Sequence, residues 1–284
     1  MSKQRRNGVA RSLGGDIFIT VVLIVVAAFM MLPFVYAIMQ SLKPIEEIFI
    51  FPPRFFVVNP TLSNYLTLSK LTDSLWVPFS RYLVNSVVVT IAGTGFNLVV
   101  ASMAAFPLAK YPFPGSKWLF RLVTTSLLFA GPVTALPQYI IVAKMGLNTL
   151  WSVFLPAVGL PLGLFLMRNF MTQIPDGMLE AARIDGAGTW RIFASIAMPM
   201  VKPAALTLII FTFQSLWNTT GGTFIYDEKI KLLPTILNQV VTAGIARAGS
   251  GAAASVVMMI PPFIIFIILQ SRIIETMAFS GIKG

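Results

Sequence analysis

The chain has 284 residues, 56% of them hydrophobic and 11% charged, with a mean hydropathy of +0.82, a balance that excludes an ordinary soluble domain and indicates a polytopic membrane protein. It contains neither cysteine nor histidine, which removes disulfides, thiol catalysis and iron–sulfur ligation, together with the commonest metal ligand and proton shuttle. The net charge of +11 fits basic residues gathered at cytoplasmic loops better than it fits nucleic-acid binding.

In chain order, residues 1–16 carry Lys3, Arg5, Arg6 and Arg11 against Asp16 alone. The apolar run that follows is too long for a signal peptide and no small-residue cleavage pattern closes it, so an uncleaved first span is expected. Six stretches lack any charged residue, at about 17–42, 82–109, 122–143, 145–167, 203–226 and 248–271. Each exceeds the ~20 residues needed to cross a hydrocarbon core. The expected fold class is therefore all-α, a single domain over 17–284 of six transmembrane helices with both termini on one side. With the N-terminus inside, the inner segments hold 13 Lys and Arg and the outer segments 8. That bias, led by the basic tail, puts the termini and the 168–202 loop in the cytoplasm and the 43–81 loop outside.

The outer loop is rich in Pro, Asn, Ser and Thr. It is large enough to pack on a docking partner and reads equally well as a solvated connector. Residues 110–115, Lys-Tyr-Pro-Phe-Pro-Gly, read as a turn. Pro132 and Pro137, Pro156 and Pro161, and Pro261 with Pro262 fall inside the third, fourth and sixth spans, where each removes a backbone bond and predicts a kink. Such kinks serve a gate as hinges or stand as static bends.

The one long polar segment between charge-free runs is 168–202. Pro175 suits the start of a helix, Asp176 places an acid in its first turn, and Gly186 or Gly188 suits its left-handed end, which predicts a helix over 175–185. Thr189 is expected to cap a second helix over 190–197, stopped by Pro199. Ala181 and Ala182 would let another protein approach the backbone, with Glu180 and Arg183 as charges at the rim.

Glu180-Ala181-Ala182, followed by Gly186 and then by Ile196-Ala197-Met198-Pro199, resembles the EAA loop of the membrane subunits of bacterial ABC importers. Asp185-Gly186-Ala187, Pro203 and the closing Ser280-Gly281-Ile282-Lys283-Gly284 resemble its carbohydrate branch, the maltose-type permeases. Met198 stands where that family usually has Leu, a volume-conserving exchange. The resemblance implies a multi-pass protein of the bacterial cytoplasmic membrane that works by alternating access. Its implied partners are a second homologous permease, two cytoplasmic ATPase subunits that hold the ATP and Mg, an external solute-binding protein, and a sugar or oligosaccharide as cargo. It further implies that Glu180 meets an ATPase arginine, with Ala181, Ala182, Arg183, Asp185 and Gly186 completing the coupling surface, and that this chain binds no cofactor itself.

The residues agree on where the energy enters. No span holds an ionisable side chain of the kind that ion-driven carriers use, and no phosphate-cradling GxxxxGK[ST] is present, so a partner at the cytoplasmic face is expected to do the work. Backbone carbonyls can still bind sodium, which keeps a secondary carrier or channel open, as is an importer of a non-sugar solute. For a sugar, amides and aromatic faces in mid-bundle are wanted. Gln214, Trp217 and Asn218 share one face of the fifth span, with Gln138 and Tyr139 in the third and Asn97 in the second. Trp217 also reads as an interfacial belt residue, and the polar residues as glue between helices.

Overall fold

The computed structural model describes residues 13–73, 77–111, 113–129, 131–147, 149–221 and 227–280, and every element among them is helical. The basic tail before residue 13, the end of the expected fifth span at 222–226 and the closing 281–284 lie outside the described residues.

Helix α1 (Leu13–Leu42) is 30 residues long and keeps most of its apolar side chains on the outside. Such a surface suits hydrocarbon and not water. Short α2 (Ile45–Ile48) and α3 (Ser63–Asp73) occupy the expected outer loop. Helix α4 (Phe79–Lys110), 32 residues, is the central post. Its buried stripe, Tyr82, Ser86, Val89, Gly93, Asn97 and Ala101, recurs every three or four residues and is built largely from small side chains, so neighbouring backbones come close.

The next two expected spans are not continuous helices. The third is α5 (Ser116–Ser126) followed by α6 (Gly131–Lys144), and the fourth is α7 (Trp151–Val158) followed by α8 (Pro161–Thr172). Proline explains the second interruption: Pro161 lacks an N–H, fits at a helix start where none is needed, and follows the break at Gly159 and Leu160. Gly163 then lets α8 close on α4, because a Cβ there would stand 3.0 Å from Asn97 Oδ1 and 3.2 Å from Ala101 Cβ. Three helices among the described residues are long and apolar enough to cross a membrane by themselves, Gly14–Leu42, Phe79–Lys110 and Ala248–Ser271.

Helix α9 (Asp176–Ile184), α10 (Thr189–Ile192) and α11 (Met198–Met200) make up the polar segment. After it, α12 (Lys202–Trp217), α13 (Leu233–Val241) and the 33-residue α14 (Ala248–Ser280) complete the bundle. Helix α14 packs against α1, α12 and α13, with the Phe34 and Phe263 rings edge-on at 4.8 Å.

Within α14, Pro262 has no N–H to give the carbonyl of Met258, one turn earlier. The indole Nε1 of Trp217 donates to that carbonyl instead, at 2.9 Å, and the ring is 2% exposed. Trp217 thus closes a gap that proline opens in a neighbouring helix. Trp217→Phe keeps a ring but orphans the carbonyl, a loss of about 1–3 kcal/mol, expected as a lower unfolding temperature of the protein in detergent.

Candidate functional site

The polar segment folds as a compact knob beneath α4 and α8. Pro175 is the N-cap of α9, extended at φ −62° and ψ 128°, and Asp176 opens the helix as its first-turn acid. At the other end Gly186 is left-handed at φ +81°, its N–H donates to Arg183 O at 3.0 Å, and the N–H of Ala187 donates to Ala182 O at 2.9 Å. This is a complete Schellman closure, and only glycine adopts that φ without strain.

The second helix differs from expectation at both ends. Gly188 caps it and Thr189 is already helical; the chain then passes through a π turn at Phe193–Ala197 and continues past Pro199 to Met200. Pro199 cannot donate to Ser195 O, and the helix widens to π winding in the turn before it. The stop comes at buried Val201, where the axis bends by 77° into α12.

The knob is divided by face. Leu179, Ile192 and Ala197 are buried in one apolar cluster with Ala105 and Phe106 of α4 and Met167 and Met171 of α8, and Ala182 packs on its edge. Glu180, Ala181, Asp185 and Gly186 lie outside with Ile184, which is 87% exposed. The two alanines therefore split: Ala181 faces out and Ala182 supports the core. Arg183 leans back, its guanidinium 4.9 Å from the Tyr111 ring centroid, while Glu180 has no ion-pair or hydrogen-bond partner among the described residues.

Sequence reasoning missed the residue that fixes the knob. Lys110 ends α4 with its side chain 5% exposed, and its ammonium donates to Asp176 Oδ1 at 2.7 Å, to Thr172 O at 3.4 Å and to Ile174 O. One cation thereby satisfies carbonyls beyond the end of α8 and pairs with the acid that opens α9. Its signal in the sequence was a lone Lys closing a charge-free run, but a partner 66 positions away is not legible there. Lys110→Met should loosen the knob, read as several-fold faster amide hydrogen exchange across α9 in the purified protein, with α4 itself little changed.

The candidate substrate residues divide around α12. Gln214 and Asn218 line a cavity of about 790 Å³ between α1, α12, α13 and α14, together with Asn238 and Ser255. Gln138 lines a second cavity of about 450 Å³ on the opposite side of α12, with Thr134, Phe211, Thr212 and Ser215. Among the described residues no charged side chain lines either. Asn97 is fully buried and accepts from Thr212 Oγ1 at 3.2 Å, tying α4 to α12, while half-buried Tyr139 and buried Trp217 line neither cavity.

No family model matches the chain. It is 30% identical over 281 residues to Protein LplC of Bacillus subtilis, covering 91% of each chain. The chain belongs to the family of carbohydrate ABC importer permeases. It is a membrane subunit of a transporter and not an enzyme. It is also 27% identical over 287 residues to the polygalacturonan/rhamnogalacturonan transport system permease protein YtcP of the same organism, covering 95% of this chain and 98% of that one. Its fold is similar to a chain in the crystal structure of a bacterial ABC transporter involved in the import of the acidic polysaccharide alginate, with a TM-score of 0.74, 21% identity, and coverage of 93% of this chain and 99% of that one.

Proposed function

We propose that this permease forms half of a sugar pathway, pairs with a second homologous permease, and is driven by two cytoplasmic ATPase subunits seated on the α9 knob, with an external binding protein delivering the sugar. ATP and Mg belong to the ATPase subunits. The observation that carries the reading is the knob itself: a short helix closed at both ends, latched to α4 and α8 by Lys110, and presenting Glu180, Ala181 and Ile184 exposed on its outer side. Glu180 meets a basic group of the ATPase, Ala181 lets the surfaces close, and Gly186 keeps the helix end compact. Movement of the ATPase subunits then displaces the knob as a rigid body, and α4, α8 and α12 carry that displacement into the membrane.

Six crossings are assigned to α1, α4, the broken pairs α5 with α6 and α7 with α8, then α12 and α14, in the bacterial cytoplasmic membrane with both termini inside. The six charge-free runs and the excess of Lys and Arg on the knob side support that topology. Gln138 in the smaller cavity and Gln214 with Asn218 in the larger one are proposed to meet the sugar, since amides, hydroxyls and rings without charge match a neutral sugar surface. Trp217, Asn97 and Tyr139 are proposed to shape that pathway from behind, by holding the helices that bear its walls.

In proteoliposomes holding the complete transporter, Glu180→Lys should cut ATP-driven uptake by at least about tenfold, which corresponds to the lower range of coupling energies, while the complex still purifies intact. Unchanged uptake, or uptake driven by an ion gradient without ATP, would sink the reading.

A further inference from the structure

The segment that follows α1 is tied down by its own hydrogen bonds. Its ends are clasped: Thr61 N donates to Leu42 O at 2.8 Å, and Asn64 Nδ2 donates to Ser41 O at 2.9 Å and to Lys43 O at 2.7 Å. These bonds take up carbonyls that the last turn of α1 leaves open. Inside the loop two buried charges hold its shape. The Glu47 carboxylate, 5% exposed, accepts from Val58 N at 2.8 Å and Asn59 N at 3.2 Å, and the Lys43 ammonium, 2% exposed, donates to Arg54 O. A backbone fixed so thoroughly by its interior leaves its outer face free to be apolar.

That outer face is aromatic. Phe51 is 92% exposed, and Phe49, Phe56 and Val58 are each more than half exposed, with Glu46 and Arg54 as the exposed charges among them. The depth of this face follows from α1. Asp16 is the last charge before the apolar run, and Tyr36 stands twenty residues further along the same helix, about 30 Å at 1.5 Å per residue. That distance is the thickness of a bilayer's hydrocarbon core, about 30 Å, so Tyr36 falls at its far boundary. The loop folds back to that level: the Phe55 ring lies 5.5 Å from Tyr36 and 5.0 Å from Phe56, and Lys43 Nζ sits 5.9 Å from the Tyr36 ring centroid. The exposed rings therefore continue the apolar surface of α1 instead of rising away from it.

We propose that the closed loop 43–61 is an interfacial membrane anchor, seating Phe49, Phe51 and Phe56 between the acyl chains and headgroups of the leaflet at the C-terminal end of α1. Rings with a few long-reaching charges are the composition that lies in such an interface, and the bonds from Glu47 and Lys43 spare Val58, Asn59 and Arg54 the need for water as partner. The anchor holds the far end of α1, a helix with almost no buried surface, at a fixed depth while the bundle moves. The inference rests on α1 crossing the bilayer.

The chain has no cysteine, so a single spin label is readily placed. Labels at Phe51→Cys and, as a control, at Val26→Cys in mid-α1 and Lys70→Cys in α3 are introduced into the complete transporter, its other subunits cysteine-free, in lipid nanodiscs. Collisions with oxygen, which partitions into lipid, are compared with collisions with a water-soluble nickel chelate. The expected result is an oxygen-to-nickel ratio at position 51 several times that at position 70 and unchanged when the external binding protein is added. A nickel-accessible label at 51 that becomes shielded only with the binding protein overturns the proposal in favour of a docking surface, and a label at 51 shielded from both reagents overturns it in favour of a contact with the partner permease. Water accessibility at position 26 overturns it through the spanning of α1, a failure separate from the other two.

Discussion

An ammonium group buried where one membrane helix ends and two others meet is the joint of this molecule. Lys110 holds carbonyls at and just beyond the end of α8 and the acid that opens α9, so the central post α4, its closest neighbour and the knob share one electrostatic contact. Without it the end of α8 would carry unsatisfied carbonyls beside an apolar cluster, and the knob would hang on packing alone. The rings around the knob reinforce that contact. The Phe106 ring lies 5.4 Å from both Tyr111 and Phe193, so an aromatic line runs from α4 into the second helix of the knob.

Force applied to such a knob has few places to dissipate. Its helix is closed by Gly186, its inner face is buried with α4 and α8, and its exit into α12 turns by 77° at a buried valine. Two cavities lie on either side of α12, so a displacement of that helix changes the shape of both. The breaks in the helices belong to the same picture. They divide the third and fourth expected spans into shorter rods after Ser126 and around Gly159, the latter at Pro161, while the breach in α14 is sealed by Trp217.

Much of the knob was legible in the sequence because its signals are local. A proline, an acid and a left-handed glycine bound α9 within a residue of where they predict it, and three of the six charge-free runs coincide with helices long and apolar enough to cross a membrane. What could not be read was non-local. The partner of Lys110 is 66 residues away, and the carbonyl that Trp217 serves is 41 away, so neither tie leaves a local mark in the sequence. Ala181 and Ala182 look alike in sequence but differ in exposure, because Ala182 falls three residues after buried Leu179 on the same helix face. Thr189 and Pro199 misled for a different reason: Gly188 took the cap, and a π turn allowed the helix to run past the proline.

At the opposite end, loop 43–61 uses buried charge to the same effect as Lys110, fixing backbone so that an apolar face can be presented. Both ends thus trade a paired charge inside for an exposed surface outside, and at the knob that surface is centred on Ile184. The most direct measurement is reaction of an Ile184→Cys variant with a membrane-impermeant maleimide in sealed vesicles of known orientation, with and without the ATPase subunits. The account predicts labelling only where the cytoplasmic face is exposed, and only after the ATPase subunits are stripped away. Labelling from the external face, or labelling undiminished by bound ATPase subunits, would contradict it.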